Sequence, residues 1–151
     1  VLGDRAFYQL LKHLGEKESG PNMGPVVEWA MHPWSKVKPD ETGWAAWCTA
    51  AVCTAYLEAG SEQIKEIGTT NANTLWNRLI KLGQAYPPND TMVPRLGDLV
   101  FFEHQANVYH VGFVKEYQPN TKVLITLEGN SNDSVRLCKR TSYHGFALIK
   151  D

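Results

Sequence analysis

Residues 47–59 read WCTAAVCTAYLEA, and Gly60 follows. Almost every side chain in this run is apolar or small, so a helix built from it has no polar face to turn toward water. It is buried on most sides, and its small residues let neighbouring elements approach closely. Gly60 provides the left-handed stop at which such a helix ends. The stretch therefore reads as the central helix of the core. Cys48 stands at or just inside its first turn, where unpaired backbone N–H groups and the helix dipole favour a thiolate. A free cysteine is most often a small core residue, but this one also has a nucleophile's position.

The chain on either side divides into a helical first half and a strand-rich second half. Ala6, Phe7, Leu10, Leu11 and Leu14 recur at helical spacing, with Asp4 placed to cap the start and Gly15 to end it. Pro25 opens a short helix bearing Val26, Val27, Trp29 and Ala30, and loop is expected from Pro33 to about residue 43. Thr70 or Asn71 caps a further helix carrying Leu75, Trp76, Leu79, Ile80 and Leu82. Beyond residue 94 the runs DLVFF, YHVGFVKEY, KVLITLEG, SVRLCKR and GFALIK are β-prone and separated by turn residues. QPNT suits a hairpin connection, and the lack of helices between the strands argues for an antiparallel sheet. The expected class is α+β, with N-terminal helices on a sheet of five or six antiparallel strands.

The 151 residues fit one domain, taken here as 1–151, and 43% hydrophobic content is enough for a sizeable core. Fifteen Lys and Arg against sixteen Asp and Glu give a formal charge of −1, which leaves no electrostatic footprint for nucleic acid or an anionic membrane. No stretch approaches a membrane span or a signal peptide, so the expectation is a soluble domain. The first residue is Val, which suggests a piece of a longer polypeptide. Three cysteines, Cys48, Cys53 and Cys138, cannot all pair with one another, and their spacing matches no zinc site or redox pair. Cys53 and Cys138 read as filler.

A nucleophilic cysteine needs a base. Of five histidines, His110 alone opens an alternating strand, with Tyr109, Val111 and Phe113 on one face and His110, Gly112 and Val114 on the other. His13, His32, His104 and His144 sit in exposed or turn contexts. At the end of KVLITL, the segment LEGNSND offers Glu128 and Asn130, either of which can orient an imidazole.

Taken together, WCTAAVCTAYLEAG, PRLGDLVFF, HVGFV and LEGN occur in the order and rough spacing of CHAP domains, amidohydrolases related to the NlpC/P60 and papain-like cysteine peptidases. Upstream, LGEKESGPNMGPVVEW and PDETGWAAWC resemble the approach to the nucleophile in phage-associated members. The resemblance implies a papain-like fold, with Cys48 as nucleophile, His110 as general base and Glu128 or Asn130 as the residue that orients the ring. Trp47, Trp44 and Tyr109, beside the reacting residues, are expected to line the groove. Ala51 stands where members often carry an aromatic. Some phage members have an Asp-rich calcium loop ahead of the cysteine; Asp40 and Glu41 alone leave calcium open here, and no cofactor is expected.

The implied substrate is bacterial peptidoglycan, cut at the muramoyl to L-alanine amide or within the stem or cross-bridge peptide. The implied setting is a phage endolysin or virion-associated lysin acting at the cell wall, with an adjacent wall-binding or structural module. Two other readings are a noncatalytic wall-binding or virion module, and a cysteine protease or amidase toxin acting on a protein.

Overall fold

The computed structural model describes residues 1–34, 47–87 and 92–151. Among the described residues, five α-helices, α1 (Leu2–Leu11), α2 (Pro25–Met31), α3 (Trp47–Glu58), α4 (Glu62–Ile67) and α5 (Ala72–Lys81), precede the sheet. The strands are β1 (Ala85–Tyr86), β2 (Leu99–His104), β3 (Asn107–Gln118), β4 (Val123–Ser131), β5 (Ser134–Arg140) and β6 (Gly145–Ala147). They form one antiparallel sheet in the order β1-β6-β2-β3-β4-β5. The architecture is α+β and papain-like.

The central helix behaves as its composition demands. Every residue of α3 from Trp47 to Tyr56 is buried, and its few polar atoms are bonded inward. The Thr54 hydroxyl donates to the Ala30 carbonyl at 2.7 Å and accepts from Trp34 Nε1 at 3.0 Å, while the Tyr56 hydroxyl donates to the Gly97 carbonyl at 2.8 Å. Such partners offset the cost of burying polar groups. One sheet face, with Leu99, Phe101, Val111, Phe113 and Leu127, shares a core with α1, α2 and α3. Val100, Phe102, Val114, Leu124 and Phe146 form a second, smaller cluster, and strand alternation places them on the other face.

The structure resolves or departs from the local signals at four points. Helix α1 begins at Leu2, without a side-chain cap, so Asp4 lies in the first turn and complements the dipole there. Asn71, not Thr70, caps α5, accepting from the Thr74 N–H at 2.9 Å. Strand β1 and helix α4 were not legible. The strand has only two residues and is defined by its pairing with β6; the six-residue helix is anchored by a Ser61 cap. Finally, the β2–β3 register shifts between Phe102 and Glu103. This bulge breaks the expected alternation at Tyr109: Val108 is buried and Tyr109 turns outward.

The N-terminal segment helps to locate both halves of the site. Residues 15–18 run along the outer edge of β5, through Gly15 N–H to Val135 O, Val135 N–H to Glu16 O and Glu18 N–H to Asp133 O, each 2.9 Å. The Glu18 carboxylate then accepts from Trp47 Nε1 at 2.7 Å. The start of α3 is thereby tied to the sheet edge.

Candidate active site

Cys48 enters the site from the first turn of α3, and His110 faces it from β3. The β3–β4 ladder runs from Gln118↔Val123 back to Phe113↔Leu127, with a register shift between Val114 and Glu116. Beyond that pair, His110 and the Val111 backbone both act on the Cys48 sulfur, and both favour its thiolate. The Thr49 hydroxyl lies 3.7 Å from the same sulfur. Close packing makes this approach possible. A Cβ on Gly129 would stand 3.0 Å from the Ala51 Cβ and 3.2 Å from the Trp47 ring, so glycine lets β4 come up against α3.

Glu128, on β4, meets the far side of the imidazole: Oε1 lies 2.7 Å from His110 Nε2. Gly112 makes room for it, since a Cβ there would fall 2.7 Å from Glu128 Cγ. The carboxylate has no solvent exposure, yet both oxygens are fully engaged. Oε1 also accepts from Arg140 Nη2 at 2.5 Å; Oε2 accepts from Arg140 Nε at 2.9 Å and from the Thr126 hydroxyl at 2.5 Å.

Burial alone would neutralise these groups, and their mutual contacts reverse that tendency. It pushes the Cys48 thiol up, but the adjacent His110 charge and hydrogen bonds from His110, Thr49 and the Val111 N–H bring it below its ordinary value. For His110, burial works downward, while the Cys48 sulfur and the Glu128 carboxylate raise it to about 10. Glu128 is opposed by burial and lowered to about 2 by its bonds to His110, Arg140 and Thr126. The favoured state is a thiolate beside an imidazolium that is held by a carboxylate.

The structure thus brings together Cys48, His110 and Glu128. Asn130 stands two residues past Glu128, half-buried at φ 56°, where the β4–β5 register shifts. Of the two candidates, Glu128 is the one bonded to the ring. Tyr109 is 53% exposed, and its ring stacks on His110 at 5.9 Å between centroids. Trp47 departs from expectation: it is 1% exposed and bonded to Glu18, because the first turn of α3 is already inside the core. It is a wall of the core, not of a groove. Trp44, Asp40 and Glu41 lie outside the described residues. Among the described residues, no group of three or more His, Cys, Asp or Glu side chains could hold a metal ion, and no helix is long and apolar enough to cross a membrane.

Arg140 and Thr126 were missed. Arg140 lies outside every motif that carries Cys48, His110 or Glu128. The only available signal was that Thr126 precedes Glu128 by two in a strand, which puts both on one face.

A thiol at a helix start, opposed by histidine and carboxylate from adjacent strands, defines a class of α+β hydrolases with papain-like architecture. A family model for the CHAP domain matches residues 38–130. The chain belongs to the CHAP domain family, and membership supports a hydrolase activity directed at peptidoglycan. No curated protein matches the chain.

Proposed function

We propose that the protein cleaves an amide bond of bacterial peptidoglycan by a thioester mechanism, with Cys48 as nucleophile, His110 as acid and base, and Glu128 as the residue that orients the ring. The observation that carries this reading is the burial together of Cys48, at the start of α3, with the His110 charge that acts on its sulfur and with Glu128, 2.7 Å from His110 Nε2.

In the resting state the proton of Cys48 resides on His110. The thiolate attacks the amide carbonyl carbon, and the carbonyl electron pair moves onto oxygen. The resulting oxyanion develops at the N-terminus of α3, where the Cys48 backbone N–H is suited to donate to it. Collapse expels the amine, which takes its proton from Nδ1 of His110, the ring nitrogen not held by Glu128, and leaves an acyl-thioester. Neutral His110 then removes a proton from water as the water attacks the thioester. The carboxylic acid departs, and the thiolate–imidazolium pair is restored. Glu128 keeps the ring in one orientation and stabilises its cationic form throughout. Tyr109, exposed beside the ring, is suited to touch the substrate.

The bond is the muramoyl to L-alanine amide or one in the stem or cross-bridge peptide, and the setting is a lysin working at the cell wall beside a wall-binding or virion module. The purified domain is expected to lyse walls, and Cys48→Ala and His110→Ala to lose that activity; undiminished lysis by both variants sinks the reading. Mass spectrometry of the fragments then identifies the bond: new N-terminal alanine marks an amidase, and new stem or bridge termini mark an endopeptidase. Wall binding without turnover would favour a noncatalytic module instead.

A further inference from the structure

The Glu128 carboxylate is itself held by a cation from outside the matched family segment, ten residues beyond its end at residue 130. Arg140 sits at the end of β5, across from Leu124, whereas the residue across from Glu128 is Arg136. The bond to Glu128 is therefore made diagonally, along the sheet face, and not by the nearest basic residue. The guanidinium presents Nε and Nη2 to separate carboxylate oxygens, the two-pronged geometry that fixes a carboxylate in both position and plane. Phe102 supports it from below, with the Arg140 Cζ 4.5 Å from the ring centroid, and the same Phe102 ring lies 5.6 Å from the His110 ring. One aromatic side chain thus packs against both the cation and the imidazole.

We propose that Arg140 is a positioning residue: by clamping both oxygens of Glu128 it holds that carboxylate ionised and in the one orientation that meets His110. The proposal rests on the reading of Cys48, His110 and Glu128 as the reacting set. Its physical basis is the full burial of Glu128. A carboxylate without solvent keeps its charge only while hydrogen-bonded cations surround it, and His110 cannot be a constant partner, because it gives up its proton during each turnover. Arg140 keeps its proton throughout the cycle. It therefore holds the carboxylate in place while His110 is neutral and must be ready to receive a proton from water.

The side chain borders a cavity of about 440 Å³, so a shorter residue there admits solvent and does not leave a sealed void. Arg140→Gln and the milder Arg140→Lys are each made in the wild-type and Glu128→Gln backgrounds, and kcat and KM are measured on a soluble peptidoglycan fragment. Arg140→Gln is expected to lower kcat by up to about 100-fold, the scale of a misplacement of ~1 Å, with KM little changed. Arg140→Lys, which keeps the charge but loses the fork, falls between. With Gln at position 128, neither substitution costs anything further. Independently of turnover, ¹³C resonances of the Glu128 carboxyl carbon are followed against pH in the resting protein. Arg140→Gln should move the Glu128 midpoint up by about 1 to 3 on the pH scale. An unmoved midpoint, or a kcat loss equally large in both backgrounds, overturns the proposal. If the wild-type protein shows no turnover while the midpoint moves, the enzymatic reading fails and the Arg140 clamp on Glu128 stands.

Discussion

Cys48 and Cys53 lie on one helix, both fully buried, and their thiols are driven in opposite directions. Cys53 is raised to about 12: burial pushes it up, and a backbone hydrogen bond from Thr69 does little to offset that. Cys48 meets the same burial but ends below its ordinary value, because β3 brings the His110 charge and the polar groups of His110 and Val111 to bear on its sulfur. Helix and depth are shared, so neither explains the contrast. A buried cysteine becomes a nucleophile through its partners across the interface, and the helix start contributes only the approach direction and the N–H groups of its first turn.

The largest effect expected from this contrast is on turnover. Cys48→Ala should reduce wall lysis by about 10⁴-fold or more, while Cys53→Ala should keep wild-type kcat and lose about 1 kcal/mol of stability in chemical denaturation. Equal activity losses in the two variants would dissolve the distinction.

Removing the charge behind His110 tests where the contrast originates. Glu128→Gln is expected to lower kcat/KM by about 10² to 10⁴-fold. Because an anion beside the imidazolium raises its pKa, the alkaline limb of the kcat/KM profile, set at about 10 in the wild type, should move down toward the ordinary histidine value of 6.5. A limb that stays in place would mean that Glu128 does not control His110.

The same carboxylate makes stability pH-dependent. Its folded pKa of about 2 lies below the ordinary value of 4.5, so its contribution is complete above about 4.5 and is lost as pH falls through about 2. Denaturation curves should show the wild type losing stability in that window and Glu128→Gln changing less. Parallel losses would assign the acid sensitivity to other groups.

The smallest expected effect concerns the helix start. Trp47→Phe removes the donor to Glu18 and should cost about 1 kcal/mol, read as a lower Tm, with most of the turnover retained. A collapse of activity out of proportion to Tm would show that Trp47 holds Cys48 in register and does more than fill the core.

Much of the fold was legible because its signals are local. The apolar run of α3, the helical spacing in α1 and α5, and the β-prone runs of β2–β6 each carry their period within a dozen residues. Strand β1 was not legible, since two residues have no period and exist as a strand only through β6. The Tyr109 position was misread because a bulge is set by register with β2 and leaves no mark in the alternation of β3. Trp47 was misassigned for a related reason: an aromatic beside a nucleophile reads the same whether its ring faces a groove or the core. Cys48, His110 and Glu128 were all visible as candidates.

The sequence by itself determined most of the element types, β1 and α4 excepted, the helix start that exposes Cys48 to a partner, and a short set of residues able to serve it. Tertiary structure decided which of them meet. It chose Glu128 over Asn130 at the imidazole, since the bulge after Glu128 takes Asn130 off the ladder. It also brought Arg140 from the edge strand onto a carboxylate four strand positions away from its own partner, and it gave two cysteines of one helix opposite acidities. Periodicity is a property of neighbours along the chain. Acidity, by contrast, depends on charges and donors within a few ångströms in space, and strand register together with helix-on-sheet packing decides which those are.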